Sequence, residues 1–116
     1  MFEEWIDCKA GEVAFNVTSP ALDLSGISLY NNNVVDLSPL VGLTNLTVID
    51  LDNNQVTDLS PLASLVDLTG LSLYNNQVTD LSPLLKLVNL EYVDLYENPV
   101  LDWSYVEHVP IVLGRP

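Results

Sequence analysis

Apolar residues return along this chain in short bursts rather than in helical stripes. In "LTVIDLDNN", Leu46, Ile49 and Leu51 are apolar, and Asp50 stands between the last two. A period of two marks a strand with one buried face. The burst is brief and runs into Asn-Asn, so it predicts a short strand closed by a turn. The same spacing returns every 22 residues and aligns in columns. These are Leu24, Leu46, Leu68, Leu90; Ile27, Ile49, Leu71, Val93; Leu29, Leu51, Leu73, Leu95; and Val34, Val56, Val78, Val100. One such strand cannot bury its face alone, but copies stacked as a parallel ladder about 4.8 Å apart can.

Two further letters keep the same step. Asn32, Asn54, Asn76 and Asn98 stand where the chain turns inward, and an amide can satisfy both a stranded N–H and a stranded C=O there. "DLSPL" then closes each unit, with Ser38, Ser60 and Ser82 expected as N-caps. Pro39, Pro61 and Pro83 would stand at the first position of a short α or 3-10 turn. The units run Thr18–Pro39, Leu40–Pro61, Leu62–Pro83 and Leu84–Tyr105.

The pattern L-x-x-L-x-L-x-x-N-x-V-x-D-L-S-P-L resembles the leucine-rich repeat, most of all the short bacterial subclass found in internalins, over residues 18–105. The resemblance implies an α/β fold, a right-handed leucine-rich-repeat solenoid with a parallel sheet on its concave side and short α or 3-10 turns on its convex side. The family shares a scaffold rather than an activity. Around the repeats, residues 1–17 are expected as an N-terminal cap and 106–116 as a C-terminal cap or degenerate repeat. Within the first cap, "FEEWI" suggests a short helical turn with Trp5 as a lid, "VAFNV" a cap strand, and Cys8 a packed position. At the other end, "SYVEHVP" suggests a helical turn begun at Ser104 and stopped by Pro110.

Composition then narrows the function. The 116 residues make one small domain, and 48% hydrophobic content supports a packed core. Sixteen acids face three bases, a formal net charge of -13. That sets the chain against nucleic acid and anionic membranes and favours a basic partner. No apolar run approaches the roughly 18–20 residues of a membrane span. The N-terminus has no basic stretch followed by a long apolar one, so as it stands the chain reads as cytoplasmic, or as secreted or surface-exposed once a leader is removed. A lone Cys8 cannot make an intramolecular disulfide. There is no glycine-rich phosphate loop, no Cys/His cluster and no Ser/His/Asp constellation, and His108 stands alone. Asp36, Asp58, Asp80 and Asp102 recur with the repeat and read as turn residues before calcium ligands. No enzyme, metal or cofactor is expected, and the chain is expected to be a monomer.

With the scaffold letters removed, the outward strand positions remain. They are Gly26, Val48, Gly70, Tyr92; Ser28, Asp50, Ser72, Asp94; and Tyr30, Asp52, Tyr74, Tyr96, flanked by Asn31, Asn53, Asn75 and Glu97. No fold requirement visible in the sequence demands Tyr or Asp there. Tyrosines give large contact area at low entropic cost, and the aspartates suit Lys or Arg on a partner. The expected site is therefore Tyr30, Asp50, Asp52, Ser72, Tyr74, Tyr92, Asp94 and Tyr96, used in protein–protein interaction. Two alternatives stay open: an acidic inhibitor or immunity-type protein masking a basic, nucleic-acid-processing toxin, and a structural part of a larger surface adhesin.

Overall fold

The computed structural model describes residues 4–9, 12–17 and 26–116 of the chain. Strands β1 (Glu4–Lys9) and β2 (Glu12–Val17) pair antiparallel, Glu4 opposite Val17 and Lys9 opposite Glu12. The helical turn expected at "FEEWI" is therefore strand from Glu4 onward. A helix of five residues has little stability of its own, whereas a strand gains a ladder from its neighbour. The packing expected of Trp5 and Cys8, and the Leu24 position, lie outside the described residues.

From Gly26 onward the repeat governs. Strands β3 (Gly26–Ser28), β4 (Val48–Asp50), β5 (Gly70–Ser72), β6 (Tyr92–Asp94) and β7 (Ile111–Leu113) form a parallel sheet in chain order. Ile27, Ile49, Leu71, Val93 and Val112 stand in one register. The ladder continues past the strands: Leu51 N–H donates to the Ser72 carbonyl at 2.8 Å, and Asn53 N–H to the Tyr74 carbonyl at 2.8 Å. Behind the sheet the expected columns make one core. Leu46, Leu51, Leu68, Leu71, Leu73, Val56 and Val78 are fully enclosed, and Val100 is half-buried against it.

The C-terminal segment departs from expectation. Its helical element is only the 3-10 turn Ser104–Val106, and the chain then adds β7 to the sheet. Val112 pairs with Val93, three residues earlier than a 22-residue step would place it. Thus five parallel strands stand among the described residues, where four were expected.

The other closing turns are also 3-10: Ser38–Leu40, Ser60–Leu62 and Ser82–Leu84, each with its proline inside. The serines do not cap them. The flanking residues are Leu37, Leu59 and Leu81, whose side chains lie in the core and offer no hydrogen bond. The aspartate one residue earlier does the work instead. Asp36, Asp58, Asp80 and Asp102 accept the N–H of Ser38, Ser60, Ser82 and Ser104 at 2.8, 2.9, 2.8 and 2.9 Å. Hydrogen bonds from the Ser104 N–H and side chain hold the Asp102 carboxyl below its ordinary pKa.

The asparagine ladder knits each unit to the one before. Asn54 Oδ1 accepts the N–H of Asn32 and Val34 at 2.9 and 2.8 Å, and its Nδ2 donates to the carbonyls of Leu29 and Leu51, both at 2.9 Å. Asn76 bonds Val56 N–H and the Leu51 and Leu73 carbonyls in the same way. Asn98 does so with Val78 and Leu73. Asn32 is exposed, and its Nδ2 donates to the Tyr30 carbonyl. Beyond the ladder, Gln55 N–H donates to the Val34 carbonyl and Gln77 N–H to that of Val56. The matching position in the next unit is Pro99, which has no N–H, and the contact moves to Leu101 N–H and the Thr79 carbonyl.

The flanking column is not free to vary. Asn31, Asn53 and Asn75 have φ of 60°, 60° and 59°, a left-handed conformation that asparagine tolerates and most residues do not. Glu97 occupies the same place at φ 61°. Glu97→Asn is therefore expected to raise the unfolding free energy by about 1 kcal/mol, read from urea midpoints. An unchanged or lowered midpoint would contradict the conformational account.

Candidate functional site

The outward side chains of the sheet form rows across the strands. The first is Gly26, Val48, Gly70, Tyr92, Ile111, and the second Ser28, Asp50, Ser72, Asp94, Leu113. A third row, just past the strands, carries Tyr30, Asp52, Tyr74 and Tyr96. The structure thus gathers every expected site residue on one face. Tyr30, Tyr74 and Tyr96 are 54%, 40% and 52% exposed, large values for aromatic side chains. Val48 and Ile111 are exposed there too.

The aspartates differ in how far they are already engaged. Asp50 Oδ1 accepts the Asp52 N–H at 3.0 Å, and Asp94 Oδ1 accepts the Tyr96 N–H at 3.1 Å. Each leaves its other oxygen clear of those bonds. Asp52 Oδ1 instead accepts both the Ser72 hydroxyl, at 2.5 Å, and the Tyr74 N–H, at 2.9 Å. It stitches the end of β4 to β5, so Asp52 and Ser72 position the face as well as decorate it. Along the rim, Asn75 Nδ2 donates to Asn53 Oδ1 at 2.9 Å.

Electrostatics mark the middle of the face. Burial, then the carboxylates of Asp94, Asp52 and Asp50, hold the Tyr92 phenol above its ordinary pKa. Those three acids therefore lie within electrostatic reach of one hydroxyl. The bases among the described residues are Lys9 at the end of β1, Lys86, which follows the Ser82–Leu84 turn, and Arg115, whose Nη2 donates to the Val106 carbonyl at 3.5 Å.

Elsewhere, a cleft of about 550 Å³ is lined by Thr47, Asp67, Thr69, Glu91, His108 and Pro110 among others. His108 Nε2 lies 3.1 Å from the Leu87 carbonyl. Among the described residues no group of three or more His, Cys, Asp or Glu is placed to hold a metal ion. None of their helices is long and apolar enough to cross a membrane.

Two members of the face were not legible in the sequence, and Gly70, placed there by its spacing, was given no role although a glycine inside a strand is a recognised sign of close approach by something else. Ile111 and Leu113 were hidden because the last strand arrives out of step.

Comparison with known proteins agrees with this architecture. A family model for leucine-rich repeats in two copies matches residues 23–64 and again 66–107. Among solved structures, internalin C2 from Listeria monocytogenes is 32% identical with a TM-score of 0.67, over 79% of this chain and 52% of that one. Another Listeria monocytogenes internalin, inlF, is 28% identical with a TM-score of 0.68, over 74% of this chain and 26% of that one. The chain thus spans about half the length of the first and about a quarter of the second. No curated protein gives a significant match. With both family matches lying on the stacked units and the internalins sharing their fold, the chain belongs to the leucine-rich repeat family as an internalin-like member.

Proposed function

We propose that the chain is a non-enzymatic protein-interaction module that binds a partner with a basic surface through its concave face. Leucine-rich repeat proteins of this kind generally bind proteins, and the solenoid here supplies a rigid sheet on which side chains vary. One observation carries the reading. Exposed Tyr30, Tyr74 and Tyr96 share this face with Asp50 and Asp94, while Lys9 ends β1, Lys86 follows a closing turn and Arg115 bonds a backbone carbonyl. A basic toxin masked by the face is a narrower case of the same reading, favoured by the net charge of -13.

The test compares the wild type with Tyr74→Ala/Asp50→Lys as baits in extracts of the source cells. Val88→Lys, changed at a residue 76% exposed outside the rows, serves as control. The face variant is expected to lose a partner that the control retains. Raising salt from about 0.1 M to about 1 M shortens the screening length from roughly 10 to 3 Å and is expected to weaken that complex on the order of tenfold. A partner held equally by the face variant, or indifferent to salt, would overturn the proposal.

A further inference from the structure

Gly70 is the first outward residue of β5, and the backbone does not ask for glycine there. Its φ is not in the left-handed region, where Gly114 is the glycine found among the described residues. A Cβ built on Gly70 would lie 3.6 and 3.8 Å from the two Val48 methyls, ordinary van der Waals contact. Glycine inside a strand is less stable than alanine, so the missing side chain costs the fold something and returns nothing to it. The next outward residue of β5 is Ser72, also small. Val48 and Asp50 stand opposite this pair on β4, and Tyr92 and Asp94 on β6. The middle strand is thus a notch one side chain wide, with an apolar wall, an aromatic wall and a carboxylate on either flank.

The chemistry of the walls specifies the occupant. Asp50 and Asp94 stand two strands apart, about 10 Å between backbones, so carboxylates reaching inward leave room for one cationic head. A guanidinium donates hydrogen bonds from both edges of a plane and stacks on an aromatic ring, which an ammonium does less well. We propose that the notch over Gly70 and Ser72 receives one arginine side chain of the basic partner. Its aliphatic stem lies between Val48 and Tyr92, and its guanidinium bridges Asp50 and Asp94. Asp52 is a positioning residue, because its Oδ1 accepts two bonds, from the Ser72 hydroxyl and the Tyr74 N–H, that tie the end of β4 to β5. This rests on the concave-face reading and narrows it to a residue type and a place.

The test uses a hepta-arginine peptide, with hepta-lysine as comparator, titrated into the full chain at about 0.1 M salt. Amide chemical shifts locate binding, and calorimetry measures it. The largest shifts are expected at Asp50, Gly70, Ser72 and Asp94, with hepta-arginine bound more tightly. Gly70→Val, which fills the notch, is expected to melt no lower than the wild type and to weaken hepta-arginine binding at least tenfold. If valine disturbs β5, seen as lost amide protection there, Gly70→Ala makes the same comparison with a smaller filler. Wild-type affinity in the notch variants, with Tyr74→Ala weakened, overturns the notch and leaves the face reading standing. Shifts centred on Asp36, Asp58, Asp80 and Asp102 overturn both. Equal affinity for hepta-lysine overturns the assignment to arginine.

Discussion

Asn54→Ala is expected to lower the unfolding free energy by about 3 kcal/mol, measured by urea denaturation. The side chain is 7% exposed and satisfies the buried Val34 N–H and the carbonyls of Leu29 and Leu51. Alanine makes none of those bonds, and each buried group left unpaired costs on the order of 1–3 kcal/mol. Partial relaxation and entry of water offset some of the sum, which is why the expectation stays near the cost of one or two groups. Asn32→Ala is the internal control. That amide is exposed, and its Nδ2 bonds the nearby Tyr30 carbonyl, so its loss should cost less than about 1 kcal/mol. Equal losses from the two variants would show that the ladder does not act through buried bonds between units.

Gly114→Ala should be comparably damaging through a different cause. Gly114 has φ +100°, and a Cβ there would meet the Tyr96 nitrogen at 2.5 Å and the Leu95 carbonyl carbon at 2.7 Å. Both obstacles are backbone, so no rotamer change relieves the overlap. The expected loss is about 3 kcal/mol, the upper range for a strained backbone position, and it is limited because β7 can peel away. Peeling breaks the Leu95 N–H bond to the Leu113 carbonyl and the Ile111 N–H bond to Glu91. Hydrogen exchange should therefore accelerate at Leu95 and Ile111 while Leu51 and Leu73 stay protected. Unchanged exchange at Leu95 would show that the close approach is not maintained in solution.

The scaffold was readable because each core position answers one question, whether a side chain is apolar, at a fixed step. Leu51 and Leu73 could be placed inward without any knowledge of what surrounds them. The capping residue was harder, since "DLSP" offers two capable side chains two positions apart. The choice depends on where Leu37, Leu59 and Leu81 put their bulk, which only the fold shows. Asn31 and Glu97 looked like free surface because a backbone angle leaves no mark in hydrophobic pattern. Asp52 is the instructive member of the site. Its type suggested attraction to a partner, yet its carboxylate is engaged by Ser72, whose place beside it exists only after the units stack. The out-of-step arrival of Val112 hid the last strand for a simpler reason, since a count of 22 carries past it.

The junctions between units are chemically interchangeable over most of the array. Each uses an asparagine amide reaching one unit back, and two of them add a glutamine N–H donating to a valine carbonyl. A duplicate of residues 62–83 placed after the original would meet only junction types the molecule already contains. A duplicate of 84–105 would instead present its asparagine to the Val100 N–H, which already donates to the Asn98 carbonyl, and would repeat the Pro99 junction that lacks a donor. The array is therefore extensible from its middle and not from its last unit. Copy number there sets the length of the surface independently of the chemistry written on it.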